Sequence, residues 1–244
     1  MIVFLTKLRR NLPDSFYRVA RKLFVLAQSL IPYRVKLNLY GNAARKIVPY
    51  KLIQDEDCVL QIGMPADLLN QARSRSLLFH FAGPQTLVLV EPDPESVATG
   101  IQVFADLKNL KTKTVILEGA VSTSEETLSL EIAGERQATN RPTRDGAARE
   151  SRFGDGKLKR VEVESHPISH YVRKAQVSPT VLSVTTNGGE LQVVSQYLEE
   201  TASENWPRLV CIAPPQRGLE GELAKLGYSS VGLDDRGVSF ERIS

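Results

Sequence analysis

Acids are almost missing from the start of this 244-residue chain: residues 1–51 hold eleven Lys and Arg against one carboxylate, Asp14, a net charge of +10. The remaining residues carry twenty bases and twenty-seven acids, so the total of +3 conceals a basic segment joined to a net acidic body. Such a segment, residues 1–50, is suited to a peripheral membrane contact or an acidic partner, and it says little about what the body does. Cysteine is scarce as well. Only Cys58 and Cys211 occur, each inside an apolar run, which excludes a disulfide framework and suggests two buried, reduced thiols of a cytoplasmic protein. Long apolar runs are also lacking: Met1–Leu5 is shorter than the ~7 apolar residues of a secretory signal, and residues 23–32 are shorter than the ~20 that cross a bilayer. No transmembrane helix is expected.

Missing motifs narrow the chemistry further. No G-x-x-x-x-G-K-[ST] phosphate loop and no G-x-S-x-G elbow is present, which removes the commonest nucleotide hydrolases and serine hydrolases. The stretch Val59-Leu-Gln-Ile-Gly-Met-Pro-Ala-Asp67 reads as a buried strand, a turn and a helix, but it holds one glycine, Gly63, where a dinucleotide dehydrogenase would place three. Aromatics are interleaved with the bases of the first fifty residues, yet no RNA-binding module signature appears and the body is acidic, so nucleic acid is not an expected partner.

What is present is ordinary globular composition, 42% hydrophobic and 24% charged, enough for one α/β domain with an extension. Asp14 to Ile31 shows apolar residues at three- and four-residue steps before Pro32, an amphipathic helix that either packs across the main domain or lies on a membrane or partner. From residue 51 short apolar runs alternate with helical stretches. The strands are expected at Cys58–Ile62, Thr86–Glu91, Lys113–Glu118, Thr180–Thr185 and Arg208–Ala213, with helices at Ala66–Phe79, Glu95–Lys108, Gly189–Glu199 and Leu219–Leu226. Continuous apolar strands separated by helices imply a parallel sheet covered on both faces.

Thr127–Ile132 and Arg160–Glu164 alternate apolar with polar, a half-exposed pair around a long polar connection, 133–159, that should be mobile. The chain closes with Tyr228–Leu233, a Gly-containing turn and Val238–Ile243, an antiparallel hairpin. In an open α/β sheet ligands sit beyond the carboxyl ends of the strands, which nominates Gln61–Asp67, Glu91–Asp93, Glu118–Val121 and Thr185–Glu190. Glu91, ending a buried strand, can accept both hydroxyls of a ribose, or simply face water. His166 and His170 stand four apart, but no carboxylate or cysteine near them in sequence completes a metal set, so no metal is expected; His80 reads as a helix-end histidine.

The strand order, Glu91-Pro-Asp-Pro94 after the second strand, Val115-Ile-Leu-Glu-Gly-Ala-Val-Ser122 after the third, and Asn187-Gly-Gly-Glu190 after the fourth together resemble the FkbM family of S-adenosylmethionine-dependent methyltransferases over roughly residues 50–213. The resemblance implies a doubly wound, mostly parallel seven-stranded, methyltransferase-like (Rossmann-like) α/β sheet with a closing antiparallel hairpin. It implies S-adenosyl-L-methionine as cofactor, with Gln61, Ile62 and Gly63 at its methionine end, Glu91 on the ribose, and Glu118, Gly119 and Ala120 beside the adenine. Asn187 and Glu190 would border the transfer site, and the acceptor would be a hydroxyl of a sugar, glycan or small metabolite; apart from the resemblance, His170 or His166 is a candidate acceptor-side base. The chain departs from the family in two motifs. Where the family resembles D-V-G-A-N-x-G it has Gln61-Ile-Gly-Met-Pro-Ala-Asp67, and where the family resembles K-I-D-V-E-G-A-E it has Ser183-Val-Thr-Thr-Asn-Gly-Gly-Glu190. These losses leave a second reading open, a methyltransferase-like domain that binds or scaffolds without catalysing, at a membrane or in a glycan-assembly complex.

Overall fold

The computed structural model describes residues 33–64, 75–107, 111–133, 141–142, 158–186, 188–213, 218–233 and 237–243. The helix expected at 14–31 and most of the 133–159 connection lie outside these residues. In chain order the elements are α1 (Tyr33–Ala44), β1 (Cys58–Ile62), α2 (Arg75–Ala82), β2 (Thr86–Glu91), α3 (Pro94–Asp106), β3 (Lys113–Glu118), β4 (Ala120–Val121), β5 (Glu126–Ala133), β6 (Arg141–Pro142), β7 (Leu158–His166), α4 (Ile168–Ala175), β8 (Val181–Val184), α5 (Glu190–Glu200), β9 (Leu209–Ile212), α6 (Leu219–Lys225), β10 (Tyr228–Leu233) and β11 (Val238–Arg242).

The central strands are apolar on successive residues because each feeds two cores. Leu60, Ile62, Val88, Val90, Leu182, Val184, Val210 and Ile212 point into a cluster with Tyr171, Val194, Tyr197 and Leu223. Their neighbours Val59, Leu87, Leu89, Val181, Leu209 and Cys211 point to the opposite face, under Tyr40, Tyr50, Leu77, Phe79 and Phe104. Each fully buried aliphatic of this kind contributes about 1.5–3 kcal/mol, so two-sided burial fixes the strands more firmly than local propensity does. Cys211 is buried as expected, whereas Cys58, at the strand's entry, is only half-buried.

Seven strands form the main sheet in the order β3-β2-β1-β8-β9-β11-β10. β1 lies in parallel register between β2 and β8; the chain winds outward through β2 and β3, then returns to the other side of β1. That reversal opens a crevice at the carboxyl ends of β1 and β8. The closing hairpin is antiparallel as expected, but β11, not β10, lies beside β9. A second sheet, ordered β4-β7-β5-β6, holds the expected β5–β7 pair, in register from Glu126 opposite Ser165 to Ala133 opposite Leu158.

Helix ends follow local chemistry. α3 begins where Asp93 accepts the backbone N–H groups of Glu95 and Ser96 with Pro94 in the first turn, a cap worth about 1 kcal/mol. α2 runs on to Ala82, three residues past its expected end, and stops at Gly83, whose φ is +86°. α1 was not expected beyond Pro32; it packs on α2, with Tyr40 stacked on Phe81 at 6.4 Å.

At the amino end of the sheet, buried Asp57 accepts from Gln54 N at 2.7 Å, Thr180 Oγ1 at 2.7 Å and Arg208, joining the entry of β1 to that of β9. Burial pushes this carboxyl up, but Arg208, Gln54 and Thr180 together outweigh it and hold the group below its ordinary value. Among the described residues, no helix is long and apolar enough to cross a membrane.

Candidate functional site

The first edge begins where β1 ends. Gly63 N donates to Val90 O at 2.8 Å, one step past the β1–β2 ladder, and turns the chain with φ +85°. A Cβ at this position would collide with the carbonyl oxygen of Thr185. Gly63 is therefore fixed twice, by a conformation that L residues avoid and by close approach of the loop after β8.

The neighbouring side chains turn inward. Ile62 is buried in the core, so only its backbone reaches the edge, where its carbonyl accepts Thr185 N at 3.0 Å. Gln61 is 1% exposed, and its Nε2 donates to Gly63 O at 2.7 Å and to Ser76 Oγ at 2.9 Å. Gly63 O can only accept, so the amide orientation is determined, and Oε1 is left buried with no partner among the described residues. An acceptor in that state is short of about 1–3 kcal/mol until a donor arrives. Met64 does not crowd the loop: its side chain is buried, packed against Gly100 of α3, where a Cβ would lie 2.6 Å from the Met64 methyl. Pro65 lies outside the described residues.

Glu91 ties the first two edges together. Its Oε2 accepts Met64 N at 2.6 Å and its Oε1 accepts Asp93 N at 3.1 Å. The side chain is 5% exposed, and burial pushes its carboxyl up to about 8, against the pull of the Met64 and Asp93 N–H groups and with a small push from the Asp93 charge. A carboxylate offers about four lone-pair directions, so two remain for a ligand.

The third edge is attached to the second through Gly119 N, which donates to Glu91 O at 3.1 Å. Glu118 is opposite Glu91 in register and exposed, while Ala120 is buried. Gly119 has φ +146°, and a Cβ there would meet the hydroxyl oxygen of Tyr171. That hydroxyl donates to Ala120 O at 2.7 Å, and burial, followed by the charge of Glu164, pushes it up to about 12. Tyr171 from α4 therefore covers the edge where the resemblance puts the adenine.

At the fourth edge Asn187 lies outside the described residues. Glu190 is fully buried, and its Oε1 accepts both Thr186 N and Gly188 N at 3.0 Å. Through these bonds Glu190 closes its own loop at the start of α5. His170 sits in the first turn of α4, its ring neighbours being His166, stacked at 3.9 Å with 9° between planes, and Tyr171. Burial, then His166, Lys174 and Arg173, lower its proton affinity, partly offset by Glu125. His80 is buried inside α2, with Nδ1 3.1 Å from Thr114 Oγ1.

The fold thus gathers Gln61, Gly63, Glu91 and Gly119 at three adjacent strand ends, with Gln61 bonded to Gly63, Gly119 bonded to Glu91, and the two pairs linked through Val90 O and Met64 N. It does not bring His170 into that set. Met64 and Asp93 lie within the nominated edges Gln61–Asp67 and Glu91–Asp93, whereas Ser76 and Tyr171, which complete the set, were missed, and Tyr171 carried no readable signal. Sequence reasoning also missed Glu125, whose Oε1 lies 3.4 Å from His166 Nδ1.

No family model and no curated protein matches the sequence. Among solved structures, the chain is similar to methyltransferase FkbM from Methylobacillus flagellatus KT, with a TM-score of 0.50 and 13% identity over 85% of this chain and 50% of that one. It therefore spans about half the length of that protein. A methyltransferase from Geobacter sulfurreducens also matches, with a TM-score of 0.43 and 12% identity over 98% of this chain and 94% of that one. The chain has a methyltransferase-like α/β fold.

Proposed function

We propose that the protein binds S-adenosyl-L-methionine across the ends of β1, β2 and β3, and that it methylates a hydroxyl of a sugar, glycan or small metabolite, as an FkbM-type enzyme would. The observation that carries this reading is Glu91, a buried carboxylate held at the switch-point crevice by two backbone N–H groups with two acceptor directions unused. The residues suit the cofactor: Gln61 Oε1 is a buried acceptor awaiting a donor such as an ammonium group, and Gly63, with no Cβ, lets the loop after β8 close against the end of β1 and shape that edge. When bound, S-adenosylmethionine supplies an electrophilic methyl group on a sulfonium centre.

On this reading Glu91 holds the ribose hydroxyls, Gln61 and Gly63 hold the methionine end, and Gly119 with Ala120 flanks the adenine. Ribose binding favours ionised Glu91, so cofactor uptake releases a proton below about pH 8. Glu190 already accepts two loop N–H groups, so alignment of acceptor and methyl group contributes more than proton removal. The same fold-back supports the second reading, a domain that binds the cofactor without turning it over.

The two separate in one experiment. The full chain is incubated with methyl-labelled S-adenosylmethionine and a panel of sugars and oligosaccharides, and both S-adenosylhomocysteine release and label on the acceptor are followed. Label on a hydroxyl, lost in Glu91→Ala, supports the enzyme; tight cofactor binding with no label on any acceptor favours the binding domain.

A further inference from the structure

We propose that Glu125, His166 and His170 form a binding site for one divalent transition-metal ion, with zinc the best match. His166 ends β7, His170 lies in the first turn of α4, and Glu125 comes from the turn before β5. The β5–β7 register puts Glu126 opposite Ser165, and so brings Glu125 to His166. One donor atom from each of the three residues lies within 4.8 Å of the others.

Three features distinguish this cluster from a surface ion pair. The 3.4 Å between Glu125 Oε1 and His166 Nδ1 is a contact that forms no hydrogen bond, and Nδ1 is buried without a hydrogen-bond partner among the described residues. That separation matches the edge of a tetrahedron with metal–ligand bonds of about 2.1 Å, which is about 3.4 Å. Two imidazoles and one carboxylate are also a donor set that suits zinc and its neighbours, not magnesium or calcium.

The stacked imidazoles lie 9° from parallel, so their lone pairs do not yet converge. One ring must tilt about χ2, a torsion with a broad, shallow profile in histidine. Glu125 is 70% exposed at its side chain, which leaves a fourth position open to water, as in a three-ligand site. A bound ion would clamp the small sheet to the start of α4. Tyr171, the next residue, covers Gly119 and Ala120, so the clamp would stiffen one wall of the crevice. The site stands whether or not the methyltransferase reading does.

The test is zinc titration of the chelator-treated full chain, with bound metal per chain measured after equilibrium dialysis. Visible absorption of the cobalt-loaded protein reports the ligand field. One saturable equivalent is expected, with cobalt bands of four- or five-coordinate intensity. Both should be lost in His166→Gln and His170→Ala and weakened in Glu125→Gln, while Glu164→Gln leaves them unchanged; Glu164 Oε2 lies 3.9 Å from the other nitrogen of His166 and is 88% exposed. Each variant is checked by circular dichroism, and a binding loss counts only with the fold retained. If His166→Gln unfolds, the exposed-side variants His170→Ala and Glu125→Gln decide. No saturable zinc uptake by the full chain, uptake that survives His170→Ala with Glu125→Gln, or a dependence on Glu164 in place of Glu125 overturns the assignment.

Discussion

Glu91 ought to make the protein less stable as the pH rises, contrary to the behaviour of most carboxylates. Its carboxyl ionises at about 8 in the folded chain against an ordinary value of 4.5, so the folded state holds a proton that the unfolded state has released. The contribution is greatest below pH 4.5 and is lost as the pH climbs through 8, with a slope approaching ~1.4 kcal/mol per pH unit. Between pH 5 and 8 the loss is on the order of 3 kcal/mol. Glu91→Gln removes the titration but keeps one acceptor oxygen. At pH 5 the variant should be weaker by about 1–3 kcal/mol, because its amide NH2 faces the N–H of Met64 or Asp93. The gap should close or reverse by pH 8. Guanidinium unfolding of both proteins across this range measures the difference, and other titrating groups cancel between them. A gap that stays constant from pH 5 to 8 refutes the assigned burial of Glu91.

Two further expectations concern the scaffold. Arg208→Ala leaves Asp57 buried with only Thr180 and Gln54, and should cost about 3–5 kcal/mol at pH 7 by guanidinium unfolding. Because the Asp57 carboxyl is held below its ordinary value of 3.8, the cost should shrink as the pH falls below about 4, and a cost that grows in acid would argue against the pairing. Gly119→Ala should destabilise strongly, since its Cβ would meet the Tyr171 hydroxyl at a φ that L residues avoid. Tyr171→Phe alone should cost about 1 kcal/mol. In the double variant part of the Gly119→Ala penalty should vanish, so a double-mutant cycle with strictly additive effects would show that the two residues do not touch.

Most of the scaffold could be read directly. β1 and β2 match their expected ranges because continuous apolar runs leave no choice but burial on both faces, and β3, a half-buried edge strand, matches its range as well. β8 and β9 are each one residue shorter at both ends, where Thr180, Thr185, Arg208 and Ala213 join loops. The insertion of β11 beside β9 depends on how a hairpin docks on a finished sheet, which its own sequence does not record.

The site was legible in position but not in side-chain direction. Gly63, Glu91 and Gly119 stand at strand ends, where topology alone locates them. Glu190 faces its own loop because two backbone N–H groups compete for it, and Glu125 reaches His166 only through the β5–β7 register. The first is a local contact, between residues two and four apart, and the second is a tertiary outcome with no local signature. The Met64 side chain, next to Gly63, is accommodated by Gly100, a helical residue distant in sequence.

Calorimetric titration of the full chain with S-adenosylmethionine and S-adenosylhomocysteine at pH 8 tests the central claim most directly. Micromolar binding is expected, lost in Glu91→Ala and accompanied by net proton release when repeated at pH 7 in buffers of different ionisation heat. No heat of binding to either compound at millimolar concentration, or binding indifferent to Glu91→Ala, contradicts it.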